Sequence, residues 1–117
     1  MIKNNPKWVY LMRCIETDGT VSYKIGYTKN DPKKRIKQLQ TGNKNEIDLI
    51  HKFWSEYSTR LEATLHNNYA HYSENGEWFD LPKDIVENFL SICEKYENNF
   101  NLLVNSNTYL QDLKNRH

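Results

Sequence analysis

The sequence predicts a mixed protein of the α/β class, α+β in type, in which an antiparallel hairpin and a third strand alternate with helices. Three observations carry this. Two runs rich in aromatic and β-branched residues, Lys7 to Ile15 and Thr20 to Thr28, are split by Glu16-Thr17-Asp18-Gly19, and Asp-Gly is a hairpin turn signal. A third such run, Glu46 to Trp54, carries Ile47, Leu49, Ile50, Phe53 and Trp54 and is expected to join the same sheet. The stretches around these runs place apolar residues at helical spacing.

The hairpin register depends on the turn: a two-residue turn would pair Tyr10 with Tyr27. A three-residue loop Thr17-Asp18-Gly19, with Gly19 left-handed, pairs Glu16 with Thr20, Met12 with Lys24 and Tyr10 with Gly26. Tyr10 and Lys24 then share one face. Asp31-Pro32 supplies an N-cap and a first-turn proline, Ile36 and Leu39 an apolar stripe, and Gly42 a stop, so Pro32 to Gln40 reads as a short basic helix. Leu61, Leu65, Tyr69 and Tyr72 mark a helix over Thr59 to Tyr72 whose opening Thr59-Arg60-Leu61-Glu62 has the form of a capping box. Ser73-Glu74-Asn75-Gly76 breaks it, and Glu77-Trp78-Phe79 is a short extended piece. A helix over Pro82 to Tyr96 follows, with Ile85, Val86, Phe89, Ile92, Cys93 and Tyr96 on one side. Beyond Glu97 an Asn-rich stretch is expected to separate it from a short helix over Tyr109 to Asn115. The domain is thus placed at 1–97, with 98–117 as an appendage.

A chain of 117 residues holds one domain. Its mean hydropathy of −0.89 and the lack of a long apolar run argue against a membrane span. The opening MIKNNPKW lacks a signal-peptide core, so a cytoplasmic location is expected. Cys14 and Cys93 fit neither a disulfide framework nor a zinc site and read as buried thiols. The formal net charge is only +1, but it conceals a segregation. Lys24 to Lys44 has seven basic residues against Asp31, whereas Asn45 to Asp80 has seven acids against Lys52 and Arg60. Such asymmetry points to an anionic partner on one face.

Singly, the polar residues of these elements are ordinary. A strand tyrosine such as Tyr10 is usually core, Arg35 beside lysines usually solvated, Glu62 suits a helix cap, and His66 one turn later shares its face. Their order is more specific. Trp8-Val9-Tyr10, Lys24-Ile25-Gly26 at the end of the next strand, Arg35 on the following helix and Glu62 on a later one resemble the GIY-YIG endonuclease superfamily. The strings Tyr23 to Thr28 (YKIGYT), Leu61 to His66 and Gly76 to Phe79 (GEWF) resemble its small, often phage-borne branch. The motif core spans residues 7–79.

That resemblance implies a three-stranded antiparallel sheet flanked by helices and a metal-dependent DNA endonuclease with one divalent ion, Mg²⁺ or Mn²⁺, on Glu62. Tyr10 would position or deprotonate the attacking water, and Arg35 would stabilise charge on the phosphate. Tyr27, Lys29, Lys33, Lys34 and Lys37 would hold the DNA backbone. Lys24 stands where the superfamily has its second tyrosine; an ammonium beside Tyr10 would favour the phenolate. Glu77 is expected in the place of a later asparagine, ahead of Asn75. A nucleic-acid-binding module without cleavage is the alternative. With so little surface for reading bases, a homodimer or a protein partner would supply specificity.

Overall fold

A computed structural model describes residues 3–75 and 77–115; Gly76 of the GEWF string lies outside them. The elements are β1 (Lys7–Ile15), β2 (Val21–Thr28), α1 (Pro32–Gln40), β3 (Glu46–Ser55), α2 (Ser58–Asn68), a 3₁₀ turn Ala70–Tyr72, β4 (Ser73–Asn75), β5 (Trp78–Phe79), α3 (Lys83–Glu87) and α4 (Phe89–Asn115). No helix is long and apolar enough to cross a membrane among the described residues.

The sheet has five strands in the order β3-β1-β2-β5-β4, not three. The two additional strands are three and two residues long, too short to show an alternation in sequence. β5 pairs with β2 through Tyr23–Phe79 and Lys24–Trp78. The central hairpin has the expected register: Tyr10 faces Gly26 and Met12 faces Lys24. Glu16 N–H donates to the Thr20 carbonyl at 2.8 Å, and Gly19 is left-handed at φ 89°.

β3 pairs with the other side of β1, with a bulge where Leu11 faces His51 but Met12 faces Leu49. The bulge explains an apolar pattern that does not alternate. Before it, Ile47 and Leu49 face the side of Tyr10 and Met12; Ile50 at the bulge and Phe53 past it pack on the opposite side. Each face of the sheet therefore has its own core. Val9, Leu11 and Ile25 pack with Leu61 and Leu65 of α2 and Phe89, Cys93 and Phe100 of α4. Tyr10, Met12, Cys14 and Ile47 lie under Ile36 and Leu39 of α1. Both cysteines are free and buried, and burial pushes the Cys93 thiol up to about 12.

α1 begins as expected, with the Asp31 side chain accepting from Lys33 N–H and Pro32 in the first turn. The start of α2 differs. Tyr57 is its N-cap, without a side-chain cap, so the capping box does not form and Glu62 is left to other partners. The segment ahead of β1 pins this end instead: Asn5 Nδ2 donates to Thr59 Oγ1 at 2.6 Å and the Ser58 hydroxyl donates to the Asn5 carbonyl.

The C-terminal region also departs from expectation. The helix foreseen over Pro82 to Tyr96 is broken at Asn88, whose side chain donates to the Asp84 carbonyl at 2.8 Å. From Phe89 the chain stays helical through the Asn-rich stretch to Asn115, with no gap before Tyr109. A boundary at residue 97 falls inside this helix, since Phe100 and Val104 belong to the same core. Asparagine lowers helix propensity only by tenths of a kcal/mol, and packing overrides it.

α4 also clasps the turn that leads into α2. Glu97 accepts from Ser55 Oγ at 2.6 Å and from Glu56 N–H at 2.7 Å, and Tyr57 OH donates to Asn101 Oδ1 at 2.8 Å. Hydrogen bonds to a charged group contribute about 1.5–3 kcal/mol. Glu97→Ala is therefore expected to lower unfolding free energy by about that amount, read as a reduced urea midpoint with an unchanged slope.

Candidate functional site

Because β5 covers β2 only at Tyr23 and Lys24, a cleft of about 330 Å³ opens beside the rest of the strand. Strand alternation puts Lys24, Gly26 and Thr28 on the Tyr10 side, and Ile25 and Tyr27 on the other. Tyr10, Lys24, Tyr27, Arg35, Glu62, His66 and Glu77 all line the cleft, so four elements, β1, β2, α1 and α2, meet there with the turn ahead of β5. Lys29, Lys33, Lys34 and Lys37 are exposed around α1 and stay outside its lining. Gln38, Thr28 and the Ile25 backbone complete the wall. Gln38 escaped the sequence reading, although its i+3 spacing from Arg35 puts both on one helix face.

Gly26 makes the approach of Tyr10 possible. A Cβ there would lie 2.6 Å from Tyr10 Cζ and collide with its hydroxyl oxygen, and the ring, 3% exposed, has little room to yield. The phenol is thus laid against Gly26 of β2, and both residues line the cleft.

Glu62 and His66 reach the cleft from adjacent turns of α2. His66 Nε2 lies 2.8 Å from the Ile25 carbonyl oxygen. A carbonyl only accepts, so this nitrogen carries the proton and is engaged as a donor. His66 therefore braces the strand edge, and its ring packs edge-on against Phe79. Glu62 Oε1 is 3.6 Å from the same nitrogen. Burial pushes the Glu62 carboxyl above its ordinary value, His66 and Lys24 draw it back, and the neighbouring charge of Glu77 adds to the rise.

Lys24 does not take Tyr10 as its partner. Its Nζ pairs with Glu77 Oε2 at 2.9 Å, and this contact holds the Glu77 carboxyl below its usual range. The lysine is well covered while Glu77 is 70% exposed. Arg35 Nη1 reaches only Gln38 Oε1, at 3.4 Å, and no ion pair engages it among the described residues. Its guanidinium remains available to an anion.

Among the described residues, no group of three or more His, Cys, Asp or Glu side chains is arranged to hold a metal. A closed zinc site needs such a set. Glu62, a half-buried carboxylate facing an open polar cleft, fits a different case: Mg²⁺ or Mn²⁺ held by one carboxylate, waters and a substrate phosphate.

The family model described as T5orf172 domain matches residues 7–94, a span containing every residue of this cleft. Neither the curated proteins nor the solved structures searched contain a match.

Two substitutions test the geometry without any assay of activity. Gly26→Ala is expected to cost about 1–3 kcal/mol through overpacking against Tyr10, measured by chemical denaturation. Glu62→Gln removes a carboxylate whose charged form the fold disfavours. Below the ordinary value of 4.5 Glu62 is protonated in both states and the variant matches the parent. As pH rises through 4.5 toward the raised folded value, the parent loses stability and the variant does not. Its melting temperature should therefore equal the parent's in acid and exceed it at neutral pH.

Proposed function

The chain belongs to the T5orf172 domain family, and from that premise we propose that it is a divalent-metal-dependent endonuclease of the GIY-YIG type that hydrolyses DNA phosphodiester bonds. The observation that carries this reading is the meeting of Tyr10, Arg35 and Glu62 in one cleft, from a strand and two helices far apart in sequence. A phosphodiesterase needs an oriented water, neutralisation of the phosphate and help for the leaving oxygen. The cleft has a group for each need.

Glu62 would hold Mg²⁺ or Mn²⁺ through a hard oxygen. A metal must displace the proton that burial favours on this carboxyl, so capture would strengthen as pH rises. When bound, the ion would supply Lewis-acid stabilisation of the phosphate and leaving oxygen. Tyr10, fixed over Gly26, would orient the attacking water. Arg35, without a carboxylate partner among the described residues, would donate to a non-bridging oxygen and stabilise the charge that develops there. His66 would keep β2 and α2 in register, and Glu77 would hold Lys24 until a phosphate competes for its ammonium. The exposed Lys29, Lys33, Lys34 and Lys37 would follow the DNA backbone. The Lys24–Glu77 ion pair, standing where a second tyrosine is expected, favours one alternative, a DNA-binding module that does not cut.

Supercoiled plasmid incubated with and without Mg²⁺ or Mn²⁺ separates the two. The nuclease should nick only with metal, and Glu62→Gln should lower the rate by orders of magnitude while DNA binding in chelator persists. Arg35→Ala should reduce single-turnover cleavage about 10²- to 10³-fold. Lys33→Ala should instead weaken binding and flatten its salt dependence. Metal-independent binding without any nicking would establish the module and end the nuclease reading.

A further inference from the structure

Trp8 and Trp54 stand opposite each other in the β1–β3 ladder, and Trp8 stands opposite Thr28 in the β1–β2 ladder. The three form a row across the sheet on the face that carries Tyr10. The adjacent row is Gly26, Tyr10 and Lys52, and α1 begins beside it, where Asp31 lies 3.7 Å from Lys52. The tryptophan row is thus one step beyond the end of the helix that covers this face. It starts at Thr28 in the cleft and ends at Trp54, two strand spacings or about 10 Å away.

Trp54 is 44% exposed. The indole of Trp8 meets it edge-on, with centroids 5.3 Å apart and planes at 76°, and the Lys52 ammonium lies 4.7 Å from the centre of the Trp8 ring. Scattered surface hydrophobics are commonplace. This one is buttressed by a second tryptophan, flanked by a cation and aligned with the cleft. Indole faces stack on nucleobases, and a nearby ammonium meets the intervening phosphate. A base inside a duplex hides both faces against its neighbours, so only an unpaired or extruded base can lie on Trp54.

On the reading that the cleft binds a DNA phosphate, we infer that Trp54, supported by Trp8, is a stacking platform for an unpaired nucleobase beside that phosphate. The preferred substrate is then DNA with a single-stranded segment at the point of cleavage.

The test uses the full chain in EDTA, so that no strand is cut, and follows anisotropy of a labelled thymidine oligomer and of a duplex of equal length. The single strand should bind more tightly. Trp54→Ala should weaken single-strand binding about 5- to 150-fold and leave duplex binding within about twofold of the parent, and Trp54→Tyr should recover most of the loss. Should the alanine variant lose its native circular dichroism, the comparison of Trp54→Tyr with Trp54→Leu replaces it, since only the tyrosine stacks. Equal losses on both DNAs, no loss on either, or no binding of either would overturn the inference. So would a dimer in light scattering that Trp54→Ala dissociates, which would assign the patch to a second copy. A protein that nicks plasmid while Trp54→Ala leaves single-strand affinity untouched keeps the nuclease and loses the platform. One that binds single strands through Trp54 yet never nicks keeps the platform and loses the nuclease.

Discussion

The pairing of Tyr10 with Gly26 at the centre of the sheet is the constraint on which the other arrangements depend. β1 is hydrogen-bonded on both sides, and a slip of one residue would send Tyr10, Met12 and Trp8 to the face packed by α2 and α4. With the register held, one face carries the phenol and the basic helix α1, and the other carries the larger core. Gly26 serves this arrangement twice. It sits where the turn places it opposite Tyr10, and its missing side chain leaves the space that the phenol fills.

Glu62 reaches the cleft because α2 has no use for it as a cap. The N-terminal segment supplies that anchorage through Asn5, and α4 supplies more through Glu97 and Asn101. One anchor acts at the first turn of α2 and the other at the turn before it, so the carboxylate is placed by contacts it does not itself make. His66 fixes the next turn against the Ile25 carbonyl. Helix α2 is thereby held at two points, with Glu62 between them.

What the sequence disclosed and what it concealed divide along physical lines. The hairpin register, the start of α1 and seven of the side chains that line the cleft were legible because each rests on local chemistry or on the order of motifs. Asp18-Gly19 suits a loop with a left-handed Gly19, and Asp31-Pro32 suits a helix start. The concealed features depend on contacts between distant segments. β5 is too short to show a period, and it becomes a strand only because Trp78 and Phe79 find the free edge of β2. The capping box at Thr59 was locally sound, but Asn5 took its first member. Lys24 was expected beside Tyr10 because both share a face, whereas its ammonium went to Glu77, which only the β5 pairing brings within reach. Asn98, Asn99 and Asn101 masked the helical continuation of residues 98–104, yet Phe100 and Val104 tie them to the core.

The clasp between α4 and the entrance to α2 also bears on when a newly made chain becomes complete. A nascent chain emerges from its N-terminus, so Tyr10, Arg35 and Glu62 are exposed before Glu97 and Asn101 arrive to secure the turn at Ser55 to Tyr57. A chain interrupted ahead of Glu97 would carry every side chain of the cleft but not the brace that seats α2. In the order of synthesis, the residues that line the cleft therefore precede the helix that seats α2.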